Sequence, residues 1–157
     1  MTSRPGEPAA PLARLLATAF RQIIDQLHET LDERGWAGVR PVHGFVLLAT
    51  RDEPVALRAI ADLLGFTKQA ASQLIDAMER DGLVLRQAHP DDARAKLVSI
   101  TPKGAQLLAE VEGIYAEIEA DWGRRIGERR VAALRSALDD GISSIFGDEP
   151  PPIRPVW

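Results

Sequence analysis

The sequence contains no cysteine, which excludes disulfides, thiolate metal sites and cysteine-based redox sensing. It contains no run of about 18 apolar residues, the length a membrane-spanning helix needs. The opening stretch MTSRPGEPAAP lacks the apolar core of a secretory signal, so a cytoplasmic location and no membrane partner are expected. Glycine-rich phosphate loops and nucleophile motifs are also missing, so an enzyme would have to be assembled from scattered residues. The three histidines, His28, His43 and His89, form no pair at ligand spacing. His28-Glu29 begins like the helix of a zinc protease, but Asp32 stands where the second histidine should be. No catalytic residue, metal or cofactor is expected.

What is present suits one domain with a real core: 157 residues, of which 45% are apolar. The net charge of −4 looks unfavourable for a nucleic-acid binder, whose affinity comes largely from Lys and Arg. Its distribution matters more than its sum. Residues 40–105 carry nine basic and eight acidic side chains, while the acid excess gathers after residue 105. That permits DNA binding by the middle of the chain without demonstrating it.

The middle is organised around Val55–Gly104. A short apolar-faced helix is expected over Val55–Leu64, broken at Gly65, with a second helix restarting behind Thr67. The Thr67 hydroxyl can accept one of the backbone N–H groups that a first helical turn leaves unpaired. Helix, glycine-containing turn, helix is a helix-turn-helix pattern. The second helix runs into Gly82, and a hairpin of Leu83–Gln87 and Lys96–Ile100 follows, with the polar tip HPDDAR. Together these make a winged helix. In the second helix Ala71, Leu74, Ile75 and Met78 share a core-facing side, and Thr67, Lys68, Gln69, Ser72 and Gln73 occupy the first turns opposite. Gln can pair with adenine, Lys can reach guanine or phosphate, and Thr or Ser can bond either. The same five residues would also serve as plain polar surface; their grouping at a helix start favours a reading role. Asp76, Glu79 and Asp81 are expected to face away from phosphate or to fix Arg80.

The flanks are helical. Apolar residues at Leu12, Leu15, Leu16, Ala19, Phe20, Ile23, Ile24, Leu27 and Leu31 step by three and four, marking an amphipathic helix from Pro11 to about Arg34. At about 1.5 Å per residue it runs roughly 35 Å, too long for one small domain to cover, so a partner helix is expected on that face. Pro41 opens a buried helix carrying Phe45, Val46, Leu47 and Leu48. Thr101-Pro102 starts another, with Leu107, Leu108, Val111, Ile114, Ile118 and Trp122 in one stripe. Gly123 and Gly127 interrupt it, and a last helix over about Glu128–Phe146 repeats the pattern with Val131, Leu134, Leu138, Ile142 and Ile145.

At the wing the pattern becomes specific. The run HPDDARAKLVSITPKG closely resembles the wing and following helix start of the MarR family of winged-helix transcription regulators, through Asp92, Arg94, Lys96, Leu97, Thr101 and Gly104. Ile100 stands where Leu is commoner, and Ala93 where a second Arg often stands, a departure expected to cost one phosphate contact. The resemblance covers about residues 11–146. It implies a mainly α fold with a small β-hairpin wing: a winged helix-turn-helix joined to a helical dimerisation region. It also implies a homodimer that presents two winged helices to successive major grooves of a pseudo-palindromic operator in double-stranded DNA. By the same resemblance Arg94, braced by Asp92, reaches the minor groove, whose negative potential favours an inserted arginine. Within this frame the chain divides into an arm without periodicity (1–10, expected to be disordered), a dimerisation helix (11–39), the winged helix-turn-helix (40–104), two dimerisation helices (105–146) and a Pro-rich tail (147–157), as one intertwined domain. In the family, small aromatic acids bind between the dimerising helices and the winged helix. Phe20, Trp36, Arg40, His43, Phe45 and Tyr115 could line such a crevice, with Arg40 or His43 meeting a carboxylate. The expected function is a homodimeric repressor released by a small-molecule effector. The alternative, favoured by the net charge, is a winged-helix protein-association module that does not bind DNA.

Overall fold

The computed structural model of the chain describes residues 10–90 and 95–147. All but the last residue of the expected disordered arm, the HPDDAR tip from Asp91 to Arg94 and all but the first residue of the Pro-rich tail lie outside that range. The elements run α1 (Leu12–Glu33), α2 (Pro41–Ala49), β1 (Val55–Ala56), α3 (Leu57–Leu64), α4 (Lys68–Arg80), β2 (Val84–Ala88), β3 (Lys96–Ile100), α5 (Pro102–Ile126) and α6 (Glu128–Phe146). The fold is mainly α with a small antiparallel sheet, as the sequence indicates.

Helix starts follow local chemistry. The Thr67 hydroxyl accepts the N–H of Ala70 at 3.1 Å, and the Thr101 hydroxyl accepts the N–H of Gly104 at 3.0 Å, so each closes a donor that its own helix leaves open. Pro41 and Pro102 sit in the first turns of α2 and α5, where a missing N–H is no loss. Gly65 ends α3 with φ 65°, a left-handed cap that a side chain would strain.

One boundary differs from the sequence reading. Val55 and Ala56 do not open the α3 helix; they form a third strand. The sheet order is β1-β3-β2, with Val55 opposite Val98 and Ala56 opposite Leu97. Residues following Pro54 in extended conformation can satisfy the free edge of β3, and that partner lies more than forty residues on, beyond the reach of local periodicity. The α5 boundary also differs: Gly123 lies inside α5, and the break falls only at Gly127, where φ is 100°.

The core gathers around the winged helix. Leu47, Ile60, Leu64, Ile75, Met78, Val84, Val98, Leu107 and Ile114 are buried together, joined by Leu27 and Leu31 from the end of α1. Thr50, also buried, donates its hydroxyl to the Val46 carbonyl at 2.9 Å and so enters the core satisfied. Outside this core the helices are bare: α6 buries no residue, and Leu12, Leu15, Leu16 and Phe20 on α1 remain exposed.

Candidate nucleic-acid interface

Helix α4 buries Ala71, Leu74, Ile75 and Met78, which fixes which way its other side faces. Thr67, Lys68, Gln69 and Gln73 are exposed there, and Ser72 is half-buried beside them. Lys96 is exposed at the outer end of the β2–β3 ladder, opposite Ala88 of β2. The wing is closed at its outer end by His89 donating its N–H to the Ala95 carbonyl at 3.2 Å. Asp92 and Arg94, the residues that carry the minor-groove expectation, lie outside the described residues.

The acidic residues of α4 behave differently from the expectation that they fix Arg80. Among the described residues Arg80 donates its Nε to the Asp76 carbonyl of its own helix, at 3.3 Å, and not to a carboxylate. Both carboxylates turn instead to Arg86 on β2. The Arg86 guanidinium donates to Asp76 Oδ1 and to the Ser72 carbonyl (3.2 Å), and its backbone N–H donates to Glu79 Oε1 at 2.9 Å. Strand alternation could have found this residue, because Arg86 shares the inward face of β2 with the buried Val84. Sequence reasoning passed over it.

Where α4 meets β2 the chain is gripped by the start of α5. Lys103 donates its ammonium to the Asp81 carbonyl at 2.7 Å, and the Thr101 hydroxyl, as donor, lies 2.6 Å from the Gly82 carbonyl and 3.0 Å from that of Leu83. A Cβ on Gly104 would stand 2.1 Å from the Leu83 carbonyl oxygen. This close approach is the physical content of the Thr-x-x-Gly run at the helix start.

Behind that turn lies an open crevice of about 700 Å³ between the end of α1, the start of α2 and the α4–β2 turn. Its walls include Arg34, Trp36, His43, Asp81, Leu83 and Lys103. Of the six expected effector residues, Trp36 and His43 line it; Phe20, Arg40, Phe45 and Tyr115 do not. Phe45 and Tyr115 pack against the core, and burial pushes the Tyr115 hydroxyl above its ordinary pKa. Arg34 is held by two carboxylates of α5, donating to Glu110 at 3.0 Å and to Glu117 at 2.8 Å, and these bonds raise its pKa further.

His43 is the unusual group of this crevice. Its Nδ1 accepts the backbone N–H of Arg40 at 3.2 Å, capping α2, which places the ring proton on Nε2. That Nε2 is buried and has no hydrogen-bond partner. Burial, reinforced by the nearby charge of Arg40, holds the pKa of His43 at about 4, so the ring is neutral at pH 7. The capping bond also argues against a metal role, because a cation on Nε2 would move the proton to Nδ1, against the Arg40 N–H. Among the described residues no group of three or more His, Asp or Glu is placed to hold a metal ion. No helix among them is long and apolar enough to cross a membrane.

Residues 37–95, from just before α2 to just before β3, match the family model described as MarR family. Over 112 residues the chain is 30% identical to the uncharacterized HTH-type transcriptional regulator YkoM of Bacillus subtilis (strain 168), covering 70% of each protein. The chain belongs to the MarR family. This MarR-family chain is a transcriptional regulator and not an enzyme. Its fold matches that of wild-type apo MarR from E. coli with a TM-score of 0.73 at 20% identity, over 87% of this chain and 99% of that one. It also matches the F27L mutant of MepR from S. aureus bound to an oligodeoxyribonucleotide, with a TM-score of 0.60 at 20% identity, over 87% and 99% of the two chains.

Proposed function

We propose that this MarR-family regulator binds a pseudo-palindromic operator in duplex DNA as a homodimer, represses transcription from it in the cytoplasm, and is released by a small aromatic acid. The observation that carries the DNA reading is the capped start of α4. It offers Thr67, Lys68, Gln69 and Gln73 to solvent on a helix whose opposite side is locked into the core. Ser72 and Lys96 flank that surface, and the family pattern adds Asp92 and Arg94 to the residues that meet DNA. The bare apolar faces of α1 and α6 support a second copy of the chain as their cover.

For the effector, Trp36 offers an aromatic face and His43 a buried Nε2–H without an acceptor. A carboxylate or phenolate oxygen supplies that acceptor, with the cationic Arg34 and Lys103 on the same walls. The crevice also touches Asp81 and Leu83 at the end of α4, so a ligand seated there presses on the element that reads DNA.

The test is selection of duplexes from random DNA, followed by titration of the selected site. Arg94→Ala is expected to weaken binding at most sequences, and Gln69→Ala to relax discrimination at one base pair by about 1–3 kcal/mol. Affinity should fall steeply with salt. If neither substitution alters binding the docking is wrong, and if no duplex is selected the wing serves protein association instead.

A further inference from the structure

Arg86 lies along the later turns of the recognition helix. Its contacts on α4 are Ser72, Asp76 and Glu79, which stand on one helical face at successive turns. They cover roughly 10 Å of axis at about 1.5 Å per residue. The side chain is only 21% exposed, and it belongs to a strand paired residue by residue with β3, Arg86 opposite Val98. One residue therefore ties the wing to about two turns of the helix that offers Gln69 and Gln73, its guanidinium holding Ser72 and Asp76 and its backbone N–H holding Glu79.

We propose that Arg86 is a positioning residue for DNA binding: it fixes the angle between wing and recognition helix, so that the two dock on duplex DNA as one rigid body. The proposal rests on the DNA reading given above. A guanidinium is suited to this role because its planar fork can serve several acceptors at once, whereas a lysine offers one compact ammonium. Arg86 is not itself offered as a phosphate contact: its side chain is only 21% exposed, and its Nη2 is held by the Ser72 carbonyl and the Asp76 carboxylate of α4.

A clamp through Arg86 and simple electrostatics have effects of opposite sign on DNA affinity. Removing two carboxylates from a DNA-facing helix should by charge alone tighten binding to a polyanion. If those carboxylates hold the wing through Arg86, the double variant Asp76→Asn/Glu79→Gln should bind more weakly. The variant alters partly exposed groups and leaves the core intact, so it is suited to measurement as folded protein.

The experiment uses the full chain and a duplex selected by the wild-type protein from random DNA. Affinities are measured for wild type, Asp76→Asn/Glu79→Gln and Arg86→Lys, each with and without Lys96→Ala at the outer end of the wing's strand ladder. In the wild type, loss of Lys96 should weaken binding about fivefold, and in the two clamp variants by less than about twofold, because a wing that swings freely no longer contributes. Both clamp variants should bind the duplex about tenfold or more weakly than the wild type. Thermal unfolding of each variant accompanies the titrations. A lowered midpoint with the full cost of Lys96→Ala retained would mean that Arg86 only stabilises the fold, which overturns the proposal. Tighter binding by the double variant, or wild-type affinity and Lys96 dependence in Arg86→Lys, overturns it as well. If the wild type selects no duplex, the DNA reading fails first and this inference falls with it.

Discussion

His43 joins two properties that a sequence states separately. At the third position of α2 it closes the helix start by accepting the Arg40 N–H, and in the core it is a buried neutral ring. The unfolded chain takes up a proton on this ring near pH 6.5, the folded chain only near 4. Between those values the unfolded state binds more protons, so folding stability falls as pH drops through that window and is unaffected by this group above it. The full shift corresponds to a loss of the order of 2–3 kcal/mol on reaching pH 4. His43→Gln keeps an acceptor for the Arg40 N–H, as in a capping box, and removes the titration. Urea unfolding at a series of pH values should therefore show a shallower decline between pH 6.5 and 4 in the variant than in the wild type. Equal slopes would mean that His43 is not the titrating group.

Among the elements, the least conspicuous joint is the one where α5 starts against the α4–β2 turn. Gly104 is confined there: an added Cβ would meet the Leu83 carbonyl oxygen at 2.1 Å, Ile100 at 2.9 Å and Leu47 at 3.0 Å. The carbonyl cannot withdraw without loosening the bonds that Thr101 makes to Gly82 and Leu83. Gly104→Ala is expected to cost about 1–3 kcal/mol or more, which lowers the melting temperature by about 2–4 °C per kcal/mol in a chain of this size. Gly113→Ala, in the same helix but with nothing within 4 Å of the added carbon, should stabilise slightly through helix propensity. A Gly104→Ala variant as stable as the wild type would refute the close approach. The same joint marks where sequence reasoning stops. Thr67 and Thr101-Pro102 announced their helices because a cap is chemistry between neighbours three residues apart. The Thr-x-x-Gly run was visible as a family pattern, but its cause lies in Leu83, twenty-one residues earlier. Likewise β1 needs Val98 to exist, and the Asp76–Arg86 bond joins residues that no helical period relates. In the crevice, the aromatic residues of α1, α2 and α5 were all plausible by type, yet only the bend between α1 and α2 decides that Trp36 and His43 reach it.

The whole molecule has its buried residues on one side of its length. They begin at Leu27 in α1 and end, apart from Gly123, at Ile118 in α5, so the first half of α1 and all of α6 add nothing to the core. Helix α6 touches the rest of the chain along α5, in a shallow groove where Ala120 and Gly123 face Val131 and Ala132, with Arg135 paired to Glu119. Small residues bring two helices close but bury little apolar area, and an exposed ion pair contributes about 0–1 kcal/mol. Meanwhile Leu134, Ile142, Ile145 and Phe146 stay exposed on α6, as do Leu12, Leu15, Leu16 and Phe20 on α1. A helix so placed is expected to depend on the second copy of the proposed homodimer. Ile142→Asp/Ile145→Asp should yield a monomer at micromolar concentration by light scattering. Amide exchange should accelerate in α6 while α2, α3 and α4 keep their protection, since their core is complete within one chain. The operator consequence follows from geometry. A dimer presents its second winged helix at an effective concentration in the millimolar range, so losing the partner should weaken binding to a two-half-site duplex by about 10²-fold or more, with a much smaller effect on an isolated half-site. Should the double aspartate variant remain dimeric, the contact between copies lies elsewhere, and the exposed faces of α1 and α6 have another role.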